Sequence, residues 1–236
     1  MIREAVILAG GRGTRLQSVV PDLPKPMAPV AGKPFLEILL VSLARKNIDR
    51  VVLSVGYLAE SIIAHFGQYF QGIEIQYARE DSPLGTGGAL RLALQQCREE
   101  AVLVLNGDTF LEFDMPSAAR DWQTHRCPIV IGFHAQNTAR YGRLSLNGDR
   151  VVGFLEKGSG EPGVINAGSY VFPTNLLRRA ELPEVFSLER DFLPQELQKT
   201  CFRLLAASGM FIDIGVPYDY LLAQTQLAQY ASHEAR

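Results

Sequence analysis

A glycine-rich segment near the N terminus carries residue types that hold phosphates. Residues 10–16 read GGRGTRL and directly follow an apolar run at residues 5–9. Glycines let backbone N–H groups approach an anion closely, while the threonine hydroxyl and the two arginines add donors and positive charge. The alternative for the segment taken alone is an ordinary glycine turn after a strand. It is neither a Walker A loop nor a dinucleotide fingerprint, because Leu16 stands where GxGxxG has its last glycine.

A lysine held between two prolines follows a short distance along the chain. Lys25 lies between Pro24 and Pro26, and proline restricts the backbone on both sides of it. Residues 1–33 contain five basic and two acidic residues, although the whole chain has a formal net charge of −2. A restrained lysine in this locally basic region predicts a second phosphate contact rather than a solvated surface side chain.

Hydrophobic patterning predicts an α/β fold that positions these residues. Short apolar runs, typical of buried parallel strands, alternate in the first half with segments whose apolar residues recur at helical spacing. The second half predicts strands that extend the sheet, including a hairpin with its turn at residues 147–149. We predict a Rossmann-like, doubly wound, mostly parallel mixed sheet with a small accessory β part. The predicted strands are residues 5–9, 50–55, 73–77, 101–105, 129–134, 143–146, 151–155 and 164–172, and the predicted helices are residues 35–47, 58–66, 86–97, 115–126, 188–198 and 217–231.

These motifs resemble the signature of the sugar-1-phosphate nucleotidylyltransferases, the nucleoside-diphosphate-sugar pyrophosphorylase family. The signature is similar to residues 10–16 followed by residues 24–26. Residues 80–89 (EDSPLGTGGA), 106–108 (NGD) and 211–215 (FIDIG) resemble later motifs of the same family. The resemblance implies a nucleotide-diphospho-sugar transferase fold. It also implies an enzyme that joins a nucleoside triphosphate to a sugar 1-phosphate and releases pyrophosphate.

The resemblance implies a role for each matched residue. Asp108 and Asp213 would be ligands of Mg²⁺, which takes few protein ligands and neutralises the α-phosphate during in-line attack by the sugar phosphate. Arg15 and Lys25 would be catalytic. The nucleotide-binding residues would be Leu8, Ala9, Gly10, Gly11, Arg12, Gly13, Thr14, Glu80, Pro83, Leu84, Gly85, Thr86, Gly88, Asn106 and Gly107. The sugar-phosphate-binding residues would be Tyr141, Gly142, Glu156, Lys157, Asn166, Ala167 and Gly168.

Within the family, three segments are most similar to guanylyltransferases for D-glycero-α-D-manno-heptose 1-phosphate. They are residues 23–30, 33–37 and 83–89. This similarity implies GTP as the donor and GDP-heptose as the product, a precursor of bacterial capsule, lipopolysaccharide or S-layer glycan. Sugar selectivity rests on a few hydroxyl contacts, each worth about 1–3 kcal/mol. The alternatives are transfer to mannose 1-phosphate from GTP, or to glucose 1-phosphate from UTP or dTTP.

The composition and length of the chain indicate which classes of protein are disfavoured and how many domains to expect. The near-balance of 23 Lys and Arg against 25 Asp and Glu disfavours a general nucleic-acid or anionic-membrane binder. The three cysteines are widely spaced and form neither a disulfide framework nor a CxxC motif, and no targeting segment is visible, so a cytoplasmic enzyme is expected. The 236 residues predict one domain without a C-terminal β-helix. Its nucleotide-binding half would span about residues 1–110 and its sugar-phosphate-binding half about residues 111–236.

Two other functional classes are alternatives. A non-catalytic nucleotide-sugar-binding paralogue would be expected to lack Lys25, Asp108 or Asp213, and all three are present. A nicotinamide-dependent dehydrogenase would suit the doubly wound pattern but lacks the third glycine of its fingerprint. The resemblance also allows a homodimer.

Overall fold

A mixed β-sheet forms the centre of the fold. The structure is a computed structural model that describes residues 1–11, 13, 15–16, 19–155, 160–178 and 181–231. Its strands are β1 (Glu4–Leu8), β2 (Pro29–Val30), β3 (Lys33–Pro34), β4 (Arg50–Val55), β5 (Tyr69–Phe70), β6 (Ile73–Arg79), β7 (Ala101–Asn106), β8 (Thr109–Leu111), β9 (Ile129–Ala135), β10 (Arg143–Asn147), β11 (Arg150–Leu155), β12 (Gly163–Pro173), β13 (Phe202–Ala207) and β14 (Phe211–Asp213). Its α-helices are α1 (Phe35–Arg45), α2 (Ala59–Phe66), α3 (Gly85–Leu94), α4 (Met115–His125), α5 (Leu193–Glu196), α6 (Pro217–Gln226) and α7 (Ala228–Ala231). A 3₁₀ turn spans Lys25–Met27 and a π-helical turn spans Leu188–Phe192.

Four parallel strands in the order β7-β1-β4-β6 form one part of the sheet. Helix α1 connects β1 to β4, α2 connects β4 to β6, and α3 connects β6 to β7. Because β1 pairs with β4 on one side and with β7 on the other, the strand order reverses at β1. Sheets of this kind open a crevice at the carboxyl ends of the strands next to such a reversal. Leu8, Ser54 and Asn106 lie in register at these ends.

Helices cover both faces of the parallel strands. Ala5 and Ile7 of β1 belong to one buried cluster together with residues of α1 and α2, whereas Val6 belongs to a second cluster with residues of α3. This alternation follows from the strand geometry, in which successive side chains point to opposite faces. Complete burial of each large aliphatic side chain contributes about 1.5–3 kcal/mol to folding. The predicted doubly wound α/β architecture is therefore confirmed.

The second half of the chain extends the sheet beyond β7 in the order β12-β9-β13-β11-β10. β12 is antiparallel to both β7 and β9, β13 is parallel to β9, and β10 and β11 form the predicted hairpin with Gly148 in its turn. The register of β12 shifts between Asn166 and Ser169, so a bulge interrupts the strand. β8 and β14 form a separate two-stranded ribbon. β13 is not predicted from the sequence, because its mostly half-buried residues lack a clean alternation.

Two predicted helices differ from the structure. The sequence predicts one helix over residues 188–198, but the π-helical turn there gives way to α5. Pro194 in the first turn of α5 has no N–H to continue the helical hydrogen bonds from the preceding turn. The sequence also predicts one helix over residues 217–231, whereas α6 and α7 are separate and the buried Leu227 lies between them. No helix among the described residues is long and apolar enough to cross a bilayer.

Candidate active site

A cavity of about 640 Å³ opens at the carboxyl ends of β1, β4 and β7. Leu8, Ser54 and Asn106 line it at the strand ends, and Gly85 and Thr86 line it at the start of α3. The volume lies within the range of sites that bury a small-molecule ligand. The first turn of a helix offers unpaired N–H groups and a partial positive charge, so this end of the cavity favours an anionic ligand.

Most of the residues predicted from the sequence line this cavity. Those on its wall are Leu8, Ala9, Gly10, Gly11, Gly13, Arg15, Lys25, Glu80, Pro83, Gly85, Thr86, Asn106, Gly107 and Asp108. Those outside its wall are Leu84, Gly88, Tyr141, Gly142, Asn166, Ala167, Gly168 and Asp213. Four predicted site residues lie outside the described residues, namely Arg12, Thr14, Glu156 and Lys157.

Two glycines of the N-terminal motif allow charged side chains to pack against the loop. Gly13 has a φ of +61°, and a Cβ at this position would lie 2.7 Å from Cβ of Lys25. A Cβ on Gly10 would collide with Oε1 of Glu80. A larger residue at either position would therefore displace one of the two charged side chains from the cavity wall.

Lys25 lies between the two predicted metal-binding aspartates. It begins the 3₁₀ turn directly after Pro24 and is only 8% exposed. Its Nζ forms an ion pair with Oδ2 of Asp108 and lies 4.0 Å from Oδ1 of Asp213. The antiparallel pairing of β14 with β8 brings Asp213 opposite Thr109, the neighbour of Asp108. The fold thus gathers one lysine and two carboxylates, distant in sequence, into one charged cluster.

The two carboxylates of this cluster carry more negative charge than Lys25 can balance. Burial raises the pKa of Asp213, and the nearby charge of Asp108 raises it further, although Lys25 opposes both effects. The Gly215 N–H donates to Oδ1 of Asp213 at 2.7 Å and favours its charged form. Two such oxygen donors fit a divalent cation that takes its other ligands from substrate phosphates and water. The described residues contain no group of three or more His, Cys, Asp or Glu side chains that could hold a metal without a substrate.

Glu80 provides a half-buried carboxyl group on the cavity wall. Its Oε2 accepts a hydrogen bond from the Leu84 N–H at 2.9 Å. Burial raises the pKa of Glu80, whereas the hydrogen bond from the Leu84 N–H favours its charged form. Because each carboxylate oxygen accepts more than one hydrogen bond, Glu80 can also accept donors from a ligand in the cavity.

Two predicted nucleotide-binding residues at the start of α3 also contact a distant part of the chain. The Thr86 hydroxyl donates to Oε2 of Glu189 at 2.8 Å and accepts from the Leu188 N–H at 2.9 Å. A Cβ on Gly88 would lie 2.6 Å from the carbonyl oxygen of Glu184. This part of the motif therefore anchors α3 against the segment that leads into the π-helical turn. The Thr86 hydroxyl donates its one proton within the protein, so it has no proton left to donate to a nucleotide.

The predicted sugar-binding residues form a second cluster beside the cavity. Tyr141 packs edge-on against Phe211, with ring centroids 5.3 Å apart. The Asn166 N–H donates to the carbonyl oxygen of Gly142 at 2.9 Å, and the side-chain amide of Asn166 donates to the Tyr170 hydroxyl at 2.7 Å. Because Phe211 begins β14, this cluster lies along the strand that ends at Asp213, the second predicted metal-binding aspartate.

We expect Gly168→Ala to destabilise the fold more than Gly148→Ala. The two glycines have φ values of +67° and +61° respectively. In this left-handed region, a residue with a Cβ destabilises the folded protein by about 1–2 kcal/mol. A Cβ on Gly168 would also collide with Nδ2 of Asn106, whereas Gly148 faces open space. The collision should cost about 1–3 kcal/mol more. The free energies of unfolding in urea measure the difference, and equal losses would contradict the close contact between the β12 bulge and the end of β7.

Several residues on the cavity wall are missing from the sequence prediction. They are Pro26, Ser54, Gly56, Tyr57, Asp81, Ser82, Ala89 and Gly215. Ser54, Gly56 and Tyr57 lie at or just after the end of β4, next to β1. The rule that ligands bind at the carboxyl ends of parallel strands is the signal that could have found these three.

A family model described as nucleotidyl transferase matches residues 4–230 of the chain. The D-glycero-alpha-D-manno-heptose 1-phosphate guanylyltransferase of Aneurinibacillus thermoaerophilus is 40% identical over 228 residues, which cover 96% of this chain and 99% of the relative. A protein of the same description from Campylobacter jejuni is 40% identical over 219 residues, which cover 92% of this chain and 96% of the relative. The crystal structure of HddC from Yersinia pseudotuberculosis complexed with GMP-PN is similar with a TM-score of 0.85 at 33% identity, covering 96% of this chain and 100% of that one. The chain therefore belongs to the nucleotidyl transferase family.

Proposed function

We propose that the protein is a D-glycero-α-D-manno-heptose 1-phosphate guanylyltransferase, which transfers GMP from GTP to the sugar phosphate. The observation that carries the proposal is the cluster of Lys25, Asp108 and Asp213 at a cavity lined by the glycine-rich segment. The two relatives described as heptose guanylyltransferases, each 40% identical to this chain, support the choice of substrates. The product, GDP-heptose, would serve the synthesis of bacterial capsule, lipopolysaccharide or S-layer glycan.

The proposed reaction needs no side-chain nucleophile. A phosphate oxygen of the sugar 1-phosphate attacks the α-phosphorus of GTP, and the bond from that phosphorus to the bridging oxygen of pyrophosphate breaks. Because both substrates are anions, the site must orient them and offset their repulsion. We assign triphosphate binding to Arg12, Thr14, Arg15 and the N–H groups of the glycine-rich segment. Lys25, fixed in its 3₁₀ turn, would stabilise the charge that accumulates on the reacting phosphate.

Asp108 and Asp213 are proposed to hold Mg²⁺. When bound, Mg²⁺ would supply positive charge to the phosphates of GTP and help to orient them. The chain itself fixes the two carboxylates in place. The Gly215 N–H donates to Asp213, and the Thr109 hydroxyl donates to Oδ1 of Asp108 at 3.1 Å. The Gly215 N–H favours the ionised form of Asp213, and both hydrogen bonds orient the carboxylates toward the geometry that a divalent cation requires.

Glu80 is proposed to select guanine. Guanine presents an N1–H and a 2-amino group side by side on one edge, and a carboxylate accepts hydrogen bonds from both. Glu80 lies on the cavity wall, directly after β6 on the segment that leads into α3. Uracil and thymine present a carbonyl oxygen beside their N3–H. This carbonyl oxygen would be repelled by one oxygen of the Glu80 carboxylate.

The acceptor sugar is proposed to bind against the second half of the chain, about residues 111–236. Tyr141, Gly142 and residues 166–168 would contact the sugar, and their cluster lies along β14 beside Asp213. The adjacent Glu156 and Lys157, outside the described residues, would bind sugar hydroxyls and the sugar phosphate respectively. A carboxylate and an ammonium suit these two partners because hydroxyls need acceptors and phosphate needs a cation.

The test is a pyrophosphate-release assay that crosses five nucleoside triphosphates with a panel of sugar 1-phosphates including the heptose. We expect the highest kcat/KM with GTP and D-glycero-α-D-manno-heptose 1-phosphate. A strong signal with mannose or glucose 1-phosphate and none with the heptose would overturn the substrate assignment but keep the reaction class. Binding of nucleotide sugar without any turnover would favour the non-catalytic paralogue, and tight nicotinamide binding without pyrophosphate release would favour a dehydrogenase.

We expect Glu80→Gln to reduce the preference for GTP over ITP. ITP lacks the 2-amino group, so its base makes one hydrogen bond fewer to a carboxylate. Replacing the carboxylate should lower kcat/KM for GTP by about 10–100-fold and for ITP by less, because a hydrogen bond to a charged group contributes about 1.5–3 kcal/mol. Asp81→Asn, which removes the neighbouring charge on the same wall, is the matched control. An unchanged GTP-to-ITP ratio in Glu80→Gln would assign base selection to other residues.

A further inference from the structure

Two of the three cysteines lie side by side at one end of the sheet. Cys127 and Cys201 come just before β9 and β13, which run parallel with Arg203 paired to Ile129. Extending this register by two residues toward the N termini pairs Cys201 with Cys127. The Arg203 N–H donates to the carbonyl oxygen of Pro128 at 2.9 Å, which places the residue after Cys127 against β13.

The two thiols also interact with each other. Burial raises the pKa of Cys127, and the neighbouring Cys201 thiol raises it further. Both cysteines are free and partly exposed, so a small oxidant can reach them. Neighbouring strands lie about 4.8 Å apart, within the range of about 4.4–6.8 Å that α-carbons of a disulfide span. A disulfide bond between them needs little movement of the backbone.

We propose that Cys127 and Cys201 form a reversible disulfide bond by exchange with a low-molecular-weight disulfide such as oxidised glutathione. One cysteine thiolate attacks a sulfur of the glutathione disulfide, which gives a mixed disulfide and releases one glutathione. The other cysteine thiolate then attacks the protein sulfur of the mixed disulfide, which closes the Cys127–Cys201 bond and releases the second glutathione. Two electrons pass from the cysteine pair to the glutathione disulfide, and the two thiol protons are taken up by the released glutathione.

The position of the pair predicts an effect on stability rather than on catalysis. β9 runs in the same direction as β7, since β12 is antiparallel to both. The cysteines therefore lie at the amino ends of their strands, whereas the cavity lies at the carboxyl ends of β1, β4 and β7. The bond would tie β9 to β13 and close a long loop that contains β10, β11 and β12. Closing a long loop restricts the unfolded chain, which stabilises the folded one.

The third cysteine is an internal control. Cys97 follows α3, and its thiol donates to the carbonyl oxygen of Ala93 at 3.5 Å. Burial raises the pKa of Cys97 to about 12, so little of the reactive thiolate is present at neutral pH. Burial raises the pKa of Cys127 as well, so it is the side-by-side placement of Cys127 and Cys201 that should confine the disulfide bond to this pair.

The test incubates the purified full chain in mixtures of reduced and oxidised glutathione and maps disulfides by mass spectrometry of non-reduced peptides. We expect a Cys127–Cys201 cross-link in the wild type and in Cys97→Ser, and none in Cys127→Ser or Cys201→Ser. The oxidised wild type should unfold about 5 °C or more above the reduced protein, with kcat unchanged, and dithiothreitol should reverse the shift. Mixed disulfides that never close, or cross-links only between chains or to Cys97, would overturn the proposal.

A second measurement tests the proximity of the thiols without oxidation. Phenylarsine oxide bridges two adjacent thiols through one arsenic atom and binds single thiols weakly. One equivalent should bind to the reduced wild type and to Cys97→Ser, and 2,3-dimercaptopropanol should remove it. Absence of binding to the wild type, or equal binding to Cys127→Ser, would contradict the side-by-side placement on which the disulfide depends.

Discussion

Asp108→Asn is expected to lower kcat for pyrophosphate release by about 10³-fold or more while the protein stays folded. The substitution keeps the shape of the side chain and removes its charge. It therefore takes away one of the two carboxylates proposed to hold Mg²⁺, and it also removes the nearer of the two ion-pair partners of Lys25. The same reasoning predicts a large loss for Asp213→Asn, because the carboxylates act together.

The measurement is steady-state turnover as a function of Mg²⁺ concentration. A weakened cation site should shift the Mg²⁺ dependence of Asp108→Asn to higher concentrations as well as lower its maximum rate. Asp114→Asn is the matched control, since Asp114 is an exposed aspartate at the start of α4 that pairs with Arg120. A near-normal kcat for Asp108→Asn at saturating Mg²⁺ would contradict the proposed role, provided that both variants unfold at similar temperatures.

The central fold was predictable because its sequence signals are local. β4, for example, has the bounds that its apolar run predicts, and every residue of it is buried. The hairpin turn at residues 147–149 was likewise predictable, because only a few residue types suit such a turn. β13 was not predictable in this way. Its partly exposed side chains have neither a continuous apolar run nor an alternation, and its place in the sheet depends on pairing with the distant β9 and β11.

The candidate site shows the same division between local and distant signals. The glycine-rich segment and the residues after β7 were recognisable from motif spacing, and they line the cavity. Ser54 and Tyr57 belong to no motif and reach the cavity only because β4 pairs with β1. The contact between Cys127 and Cys201 was also hidden, because wide spacing in sequence argues against a disulfide while a parallel strand pair brings both residues together.

Lys25→Met is the other substitution with a large expected effect. Methionine keeps an unbranched stem against Gly13 and removes the buried positive charge that is proposed to stabilise the reacting phosphate. We expect kcat to fall by about 10²–10³-fold, the usual loss when one group that stabilises developing charge is removed. Turnover measured beside Lys33→Met, which removes an exposed lysine of the same basic region, separates this local effect from a general loss of charge.

A second readout distinguishes a catalytic lysine from a merely structural one. Without Lys25, the carboxylates of Asp108 and Asp213 repel each other with no cation between them, so the metal-free variant should unfold at a lower temperature than the wild type. Because Mg²⁺ would relieve this repulsion, it should raise the unfolding temperature of Lys25→Met more than that of the wild type. If Mg²⁺ restored stability and kcat together, Lys25 would serve only to hold the carboxylates. Restored stability with kcat still low is the result expected of a lysine that acts on the substrate phosphate itself.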